Sequence, residues 1–347
     1  MSAAFPSRPL GTRGLRVSEI GFGAAPLGNL YSRIGDAEAL LTCRAALDAG
    51  ITYFDTAPYY GFGLSERRLG DALRGGGSCQ VSTKVGRLLK PDASISTNAP
   101  RQGFVSSMPF TAAFDYSYEG ILASWQASIQ RLGLAGIDVL YVHDIGALTH
   151  GAGAAHCFAQ LTTGGGFRAL EELRSSGAIK AYGLGVNEID ICLQALAHTD
   201  LDGILLAGRY TLLEQTALET LLPECRQRQV SVVIGGPYNS GILATGTRHG
   251  GPLHYNYAAA PPAIVDRVRR LESCCDEFAI PLAAAALQFP LAHPSVASVI
   301  PGLDSAGQIA RTRVLYDTAI PTEFWTALKS SGLLRADAPC PGPAARR

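Results

Sequence analysis

Four side chains with acid, base or hydrogen-bonding chemistry lie at or just after the ends of short apolar runs. The stretch ITYFDTAPYYGFGLSE, residues 51–66, leads into Asp55 and then Tyr60, and two later runs, VSTK and IDVLYVH, end at Lys84 and His143. A neighbouring cation favours the ionised form of a phenol, so Tyr60 beside Lys84 is a candidate acid and base. Asp55 would hold Lys84 charged and in place. His143 would hydrogen-bond the substrate oxygen, and the set predicts a proton-transfer reaction.

These side chains need a scaffold that brings the ends of strands together. Eight apolar runs alternate with helical patterns: SEIGFG (18–23), ITYFD (51–55), CQVSTK (79–84), IDVLYVH (137–143), AIKAYGLGV (178–186), LDGILLAG (201–208), VSVVIGG (230–236) and VASVIPG (296–302). Runs without clear polar alternation are typical of strands covered on both faces. Eight of them with helices between predict an α/β fold, a (β/α)₈ TIM barrel, in which active sites lie at the C-terminal ends of the strands.

Segments outside these runs have predicted places in the barrel. LGTRGLRVS, residues 10–18, precedes the first barrel strand and predicts a hairpin that turns near Gly14 and plugs the bottom of the barrel. Two long connections, residues 86–117 and 237–262, belong to the C-terminal face. Loops of this length inside a compact domain are usually functional, so we expect them to take part in the site.

The composition indicates a well-buried globule without a charged partner. The chain has 347 residues, of which 47% are hydrophobic and 17% charged, and its formal net charge is zero. This balance argues against nucleic acid, and neither a membrane span nor a signal peptide is found, so we expect a cytoplasmic protein. Eight cysteines without CxxC spacing favour reduced core thiols and no metal. We expect one domain over residues 1–335 and a disordered tail over residues 336–347; the oligomeric state stays open.

The motifs around the four reactive residues carry a family resemblance. DTAPYYG, STK, RLGLAGIDVLYVHD and VIPG resemble motifs of the aldo-keto reductase superfamily, and the resemblance covers nearly the whole chain. AGRYTLLEQ, GGPYNSGIL, YNYAAAPPAI and LAAAALQFPLAHPSVASVIPG are similar to the branch that contains D-threo-aldose 1-dehydrogenase, also called L-fucose dehydrogenase, and a pyridoxal 4-dehydrogenase. The resemblance implies a barrel, a nicotinamide cofactor bound at the strand ends without a Rossmann domain, and an Asp/Tyr/Lys/His tetrad.

The resemblance also implies where the cofactor lies. Gly23 and Ala24 would make room for the nicotinamide end, and Asn187 would hold the carboxamide. The pyrophosphate would meet small residues and free backbone N–H groups of the loop after the seventh strand, at Asn239, Ser240, Gly241 and Leu243. The remaining expected cofactor contacts are Gly235, Gly302, Asp304 and Gln308. IGFGAAPLG is not a Rossmann fingerprint, because Pro26 stands in the place of the third glycine.

Asp304 bears on the choice between NAD and NADP. Relatives that bind the 2′-phosphate of NADP commonly carry a basic residue about there, whereas this chain carries an acid. Like charges about 4 Å apart repel by roughly 1 to 4 kcal/mol, so NAD is favoured. NADP is the alternative, with Arg311 or Arg313 binding the phosphate.

The reaction expected from the resemblance is oxidation of a sugar. The C1 hydroxyl of a cyclic aldose of the L-fucose or D-threo type would be oxidised to a lactone, with Tyr59, Arg209 and Tyr210 lining the sugar pocket. Arg209 and Tyr210 would equally well pin the barrel rim. Two other functions stay open, a pyridoxal 4-dehydrogenase and a catalytically inactive barrel that binds nicotinamide to regulate a partner.

Overall fold

The computed structural model describes residues 4–75, 78–96 and 98–342. Its strands are β1 (Ser7–Pro9), β2 (Arg16–Ser18), β3 (Phe22–Gly23), β4 (Tyr53–Asp55), β5 (Gln80–Val85), β6 (Arg87–Pro91), β7 (Phe110–Phe114), β8 (Val139–His143), β9 (Ala181–Val186), β10 (Gly203–Ala207), β11 (Ser231–Gly235), β12 (His254–Tyr255), β13 (Ala258–Ala259) and β14 (Val296–Ile300). Its α-helices are α1 (Asp36–Asp48), α2 (Leu64–Leu73), α3 (Tyr118–Leu132), α4 (Ala147–His150), α5 (Ala154–Leu161), α6 (Gly166–Ser175), α7 (Ile189–Leu196), α8 (Leu221–Gln227), α9 (Ile242–Thr245), α10 (Pro262–Glu277), α11 (Leu282–Gln288), α12 (Ala306–Asp317) and α13 (Thr322–Ser330).

The main sheet is a parallel barrel. Within the described part of the chain, eight strands pair in the order β14-β11-β10-β9-β8-β5-β4-β3. Parallel bridges from Ile20 to Val299 and from Gly23 to Gly302 join the first and last strands. Each of the eight predicted apolar runs overlaps one of these strands, so the predicted (β/α)₈ barrel is confirmed.

Gly23 has a structural reason to be glycine where the barrel closes. A Cβ atom there would lie 2.9 Å from the carbonyl oxygen of Pro301, closer than side-chain carbons approach backbone. The Gly23 N–H also donates to that carbonyl at 2.9 Å. Close backbone approach between β3 and the end of β14 therefore explains this glycine, which the family resemblance assigned to the nicotinamide.

The N-terminal hairpin fills the barrel bottom. β1 and β2 pair antiparallel, with Ser7 opposite Ser18, and the turn passes through Gly14. Leu10, Leu15 and Val17 are buried in one cluster with side chains from the barrel strands. Because these apolar groups close the lower end of the barrel, the predicted plug is confirmed.

Both long connections contain secondary structure of their own. Residues 86–117 include the antiparallel pair β6 and β7, in which Arg87 lies opposite Phe114. Residues 237–262 include α9 and the short hairpin of β12 and β13. The first connection thus places Arg87 and Phe114, which are far apart in sequence, next to each other close to the C-terminal end of β5.

The predicted C-terminal tail is only partly tested, because residues 343–347 lie outside the described residues. Up to residue 342 the prediction of disorder is wrong. Ala338 is 1% exposed and packs in the core, and the Nζ of Lys329 donates to the carbonyl of Ala336 at 3.0 Å. Burial of apolar side chains holds this stretch against the barrel.

The described residues show the state of the cysteines and whether any helix could span a membrane. All eight cysteines are free, and five of them are buried. No single described helix combines the length and apolarity of a membrane span, although the bent pair Pro262–Glu277 and Leu282–Ala292 reaches them by length and composition alone. Nor do the described residues hold a cluster of three or more His, Cys, Asp or Glu side chains suited to a metal.

His293 predicts how stability depends on pH. Its imidazole is buried, Nδ1 accepts from the N–H of Ser295 at 3.2 Å, and burial, with the charge of Arg226, lowers its pKa from 6.5 to about 4. Between about pH 6.5 and pH 4 the unfolded chain binds a proton at His293 that the folded chain does not. The free energy of unfolding therefore decreases as the pH is lowered through this range. Relative to His293→Asn, which keeps an acceptor, the wild type should lose about 3 kcal/mol between pH 7 and pH 4.

Urea unfolding at pH 7, 5.5 and 4 measures this difference. Other buried histidines contribute equally to both proteins and cancel in the comparison. Unfolding free energies that fall in parallel for wild type and variant would contradict the assignment to His293.

Candidate active site

Adjacent strand ends bring the four predicted residues together. Asp55 is the last residue of β4, Lys84 lies near the end of β5, and His143 ends β8. Since β4, β5 and β8 are neighbours in the barrel, these side chains meet at its C-terminal face. Tyr60 follows in the turn after β4, with its ring centroid 4.9 Å from Lys84 Nζ and 6.1 Å from the His143 ring. The predicted grouping is therefore present, while the catalytic roles stay predictions.

The acid and the cation form a buried ion pair. Lys84 Nζ donates to Asp55 Oδ2 at 2.7 Å and to the carbonyl of Thr56 at 2.9 Å. Ser82 Oγ donates to the other carboxylate oxygen of Asp55 at 2.7 Å. Both charged side chains are 2% exposed. Asp55 thus holds Lys84 in one place, as the sequence predicts, and partly cancels its charge.

The pKa of Tyr60 does not follow the sequence-based expectation. We expected Lys84 to favour the phenolate, but burial, followed by the negative charge of Asp55, raises the Tyr60 pKa well above 10. Burial is the largest cause, and Asp55, which lies beside the same cation, adds to it and offsets the positive charge that Lys84 would offer the phenolate. In the free protein Tyr60 is therefore a neutral phenol at physiological pH, suited to donate a proton.

His143 is held neutral beside the phenol. Burial, together with the positive charges of Arg87 and Lys84, lowers its pKa well below 6.5. Its Nδ1 is buried and has no hydrogen-bond partner in the described part of the chain, while Nε2 lies 3.5 Å from Asp144 Oδ2. A carboxylate on the Nε2 side favours the tautomer with the proton on Nε2. Neutral His143 can therefore donate a hydrogen bond to a substrate oxygen.

Sequence reasoning missed an ion pair next to His143. Arg87, the first residue of β6, donates through Nη2 to Asp144 Oδ2 in a short hydrogen bond. Its guanidinium lies 4.3 Å from the centroid of the Tyr59 ring and 5.3 Å from that of Phe114. The sequence does show Asp144 directly after His143, but only the β6–β7 hairpin places Arg87 against it.

Comparison with known proteins identifies the family. The model of the aldo/keto reductase family matches residues 19–332. This chain belongs to the aldo-keto reductase family. It is 47% identical to a pyridoxal 4-dehydrogenase of Microbacterium luteolum, over 95% of this chain and 98% of that protein. It is 38% identical to a D-threo-aldose 1-dehydrogenase of a Pseudomonas species, over 92% of this chain and 96% of that protein.

Solved structures agree with the aldo-keto reductase assignment. An aldo-keto reductase from Bacillus halodurans in its holo form has a TM-score of 0.72 and 27% identity, and the match covers 96% of this chain and 97% of that one. A glycerol dehydrogenase from Gluconobacter oxydans, at 20% identity and a TM-score of 0.73, shows the same fold over 98% of both chains. The predicted family resemblance is confirmed, and the protein is an oxidoreductase of this family.

An aromatic wall, formed by Tyr59, Phe62 and Phe104, borders the tetrad of this aldo-keto reductase. The Tyr59 ring packs edge-on against Phe104 at 5.4 Å and Phe62 at 5.8 Å, and lies 6.1 Å from His143. Tyr59 is half-buried, whereas Phe104 is 2% exposed. Tyr59, a predicted substrate contact, thus lies where a substrate held by His143 would meet it.

The other two predicted sugar contacts of the aldo-keto reductase are placed differently. Tyr210 is fully buried and packs on Phe289 and His293, so its prediction as a substrate contact is wrong. The chain after β10 turns this ring into the core, which loop sequence alone does not reveal. Arg209 donates from Nε to the carbonyl of Asn187 at 2.7 Å and from Nη1 to Asn256 Oδ1 at 2.9 Å. Arg209 therefore pins the barrel rim, the alternative left open above.

The predicted pyrophosphate loop offers fewer free donors than expected. The N–H groups of Asn239, Gly241 and Leu243 already donate to carbonyls of the same loop, so the expectation that they are free is wrong. Leu243 points its side chain into the core, and the Asn239 amide bonds Thr211 Oγ1 and the carbonyl of Gly208. A tight turn that satisfies its own backbone explains this. Ser240, whose Oγ accepts from the Tyr257 N–H at 2.9 Å, stays at the surface of the loop.

The remaining predicted cofactor residues border the same edge of the aldo-keto reductase barrel. Asn187 follows β9 and its Nδ2 donates to the carbonyl of Ala207 at 3.1 Å. Ala24 is fully buried, and its N–H donates to the carbonyl of Asp55. Gly235 ends β11 and Gly302 lies beside Gly23 at the barrel seam. Near the start of α12, Gln308 Oε1 accepts from the N–H of Asp304 at 3.0 Å.

Proposed function

We propose that this aldo-keto reductase oxidises the hydroxyl of a cyclic hemiacetal to a lactone. The carbon loses a hydride, the hydroxyl loses a proton, and a carbonyl bond forms. The observation that carries the proposal is Tyr60 next to the buried pair of Lys84 and Asp55, with neutral His143 opposite it. Tyr60 exchanges the proton, and His143 donates to the reacting oxygen and orients it.

A bound nicotinamide supplies the hydride acceptor in this proposal. Members of the aldo-keto reductase family use NAD(P)H, and the barrel edge above the tetrad has room for such a group. Among the described residues, no atom lies within 4 Å of a Cβ built on Gly241, and only the backbone nitrogen of Gly208, at 3.9 Å, lies that close to a Cβ built on Gly236. Asn187 would hold the carboxamide, Ser240 the pyrophosphate, and Gln308 with Asp304 the adenosine end.

Pyridoxal and the aldoses are the two substrate candidates, and the site favours pyridoxal. Of the predicted sugar contacts, Tyr210 lies in the core and Arg209 is held by the barrel rim, whereas the aromatic wall borders the tetrad. Tyr59 is the partly exposed ring of this wall, and a planar heteroaromatic ring can pack against it while Phe62 and Phe104 support it from the core. The 47% identity to a pyridoxal 4-dehydrogenase also supports pyridoxal as the first candidate. The sequence-based expectation had placed an aldose first and pyridoxal second. Aldoses of the L-fucose or D-threo type are the second candidate.

Initial rates of NAD⁺ and NADP⁺ reduction test the proposal. The substrates are pyridoxal, L-fucose and other aldoses, and Tyr60→Phe is the inactive control. Turnover of pyridoxal or an aldose that vanishes in the control supports a hemiacetal dehydrogenase. Binding of the cofactor without turnover of any substrate would overturn it and favour the catalytically inactive, regulatory barrel.

Asp304 predicts the cofactor preference. It lies half-buried just before Ser305, whose side chain caps α12, and its carboxylate would repel the 2′-phosphate of NADP. Asp304→Asn should therefore raise kcat/KM with NADP⁺ at least about fivefold and change kcat/KM with NAD⁺ much less. Steady-state kinetics with both cofactors measures the change.

The matched control is Arg311→Gln, which removes a cation that would bind the 2′-phosphate if the protein preferred NADP. Arg313 is not the residue to change, because it is already paired with Asp317 at 2.6 Å. Arg311 lies close enough to Tyr238 for its charge to lower the Tyr238 pKa, which burial raises to about 12. If Arg311 binds the phosphate, Arg311→Gln abolishes NADP⁺ use and Asp304→Asn leaves it unchanged. Equal efficiency of the wild type with both cofactors would defeat the NAD preference.

A further inference from the structure

The Arg87–Asp144 pair lies beside His143, where Arg87 lowers the pKa of the imidazole and Asp144 favours its tautomer, but neither residue exchanges the proton in the transfer described above. The Arg87 side chain is 6% exposed, and its guanidinium lies against the rings of Tyr59 and Phe114. The side chain of Asp144 is 21% exposed, so part of its carboxylate remains accessible. The cation of the pair is therefore buried, and the anion is partly exposed beside His143.

Stability alone does not explain such a pair. Removing two charges from water costs several kcal/mol per ion, and apolar residues of similar volume often stabilise a protein as well or better. The Arg87 Nε is buried and, within the described residues, has no acceptor, so the guanidinium is incompletely satisfied. Asp144 also has a positive φ of 44°, a conformation that is uncommon for residues other than glycine. Buried charges with unmet bonds beside a site are candidates for function.

The position of Asp144 relative to the reacting atoms is well defined. Its Oδ2 lies 3.5 Å from His143 Nε2, the atom that would donate to the substrate oxygen in the proposed function. A carboxylate at this distance from the donor is within reach of a polar group one or a few bonds away from the oxidised carbon. Arg87 donates to Oδ2, and among the described residues no hydrogen bond to the other carboxylate oxygen is found, so that oxygen can accept from a substrate donor.

We propose that Asp144 is a specificity-determining residue whose carboxylate accepts a hydrogen bond from an O–H or N–H donor of the substrate. Arg87 is its positioning residue and neutralises its charge when no substrate is bound. The inference rests on the proposed function, since it concerns recognition of the same hemiacetal. In an aldose the donor is the hydroxyl on the carbon next to C1, and in pyridoxal it is the ring hydroxyl or the protonated ring nitrogen.

Substrates without the donor test this recognition. L-Fucose is compared with 2-deoxy-L-fucose, which lacks the neighbouring hydroxyl. Pyridoxal is compared with 2-(hydroxymethyl)benzaldehyde, which forms an aromatic cyclic hemiacetal without ring nitrogen or ring hydroxyl. In each pair the two compounds share the reacting carbon. Because pyridoxal also carries a ring methyl group that its partner lacks, the donor is reported by how much a variant changes the rate with each compound relative to the wild type.

Asp144→Asn is the variant, because its amide oxygen can take the place of Oδ2. There it still accepts from Arg87 and still lies beside His143 Nε2, so the tautomer of His143 is kept, while the amide nitrogen faces the substrate donor. We expect kcat/KM for the donor-bearing substrate to fall by about 10- to 150-fold and that for its donor-free partner to change less than about threefold. The pair that shows this difference identifies the substrate class whose donor Asp144 recognises. Asp266→Asn, which removes a carboxylate from an exposed pair with Arg269, is the control for a change of charge.

Thermal unfolding and NAD⁺ binding show whether Asp144→Asn is folded. In a folded variant, a change in kcat/KM then reports substrate recognition. Equal losses for both members of each pair would overturn the inference and assign Asp144 to holding His143. Absence of wild-type turnover with all four compounds would overturn the proposed function, and the recognition inference with it. The two failures are therefore distinguishable.

Discussion

Replacing Tyr60 with phenylalanine should lower kcat about 100- to 10,000-fold, the contribution of a positioned acid or base. The substitution removes one oxygen atom and keeps the ring beside Lys84 and His143. Cofactor binding and unfolding free energy should therefore stay near those of the wild type. Stopped-flow and steady-state rates of NAD⁺ reduction measure the loss.

The pH dependence gives a second readout of the same assignment. Burial raises the Tyr60 pKa, so the base that oxidation needs becomes more populated as pH rises. Oxidation by the wild type should accelerate across the alkaline range, and Tyr60→Phe should lose that rise. Tyr118→Phe, which removes a phenol from the exposed pair with Glu172, should keep both the rate and its pH dependence. A Tyr60→Phe protein with most of its turnover would eliminate Tyr60 as the acid and base.

The barrel and the grouping of four residues could be predicted because they depend on strand ends. Continuous apolar runs identify buried parallel strands, and a residue at the end of such a run must lie at the C-terminal face of the barrel. Asp55, Lys84 and His143 meet this condition, and their strands are neighbours. Tyr60 follows within one turn. Local sequence and one topological rule therefore suffice for this part of the site.

The rest depends on loop conformation, which periodicity does not encode. Arg87 reaches Asp144 only because β6 pairs with β7 and Asp144 takes a positive φ. Tyr210 turns into the core rather than the cavity because of packing against Phe289. The free donors expected at Gly241 are used up by a turn whose hydrogen bonds no motif reveals.

The pKa of Tyr60 could not be predicted from the sequence for a different reason, because it depends on burial and on the sum of all nearby charges. A sequence can place Lys84 near a phenol, but the effect of the cation depends on what else lies beside it. Asp55 accepts from Lys84 at 2.7 Å and itself raises the Tyr60 pKa. The ion pair therefore serves more to hold the site in one geometry than to supply a free positive charge.

Breaking that ion pair from one side should be the most costly single change to the fold of the site. Lys84→Met keeps the length of the side chain and leaves the Asp55 carboxylate buried without its cation, at a cost of about 3 to 5 kcal/mol in unfolding free energy. Burial raises the Asp55 pKa and Lys84 opposes this, so in the variant the pKa rises further. A carboxyl with a raised pKa in the folded state loses stability as pH rises above its unfolded value. The deficit against wild type in urea unfolding should thus be larger at pH 8 than at pH 5.

A double variant separates the structural role of the pair from its chemical role. In Asp55→Asn/Lys84→Met both charges are gone, and the amide can still accept from Ser82, so most of the lost unfolding free energy should return. Turnover should not return, because neither the cation beside Tyr60 nor the geometry it fixes is restored. Stability that stays as low as in Lys84→Met would show that the lost packing of Lys84, not the unpaired buried charge of Asp55, caused the deficit. Recovery of turnover with stability would instead remove Lys84 from the chemistry and leave it a purely structural cation.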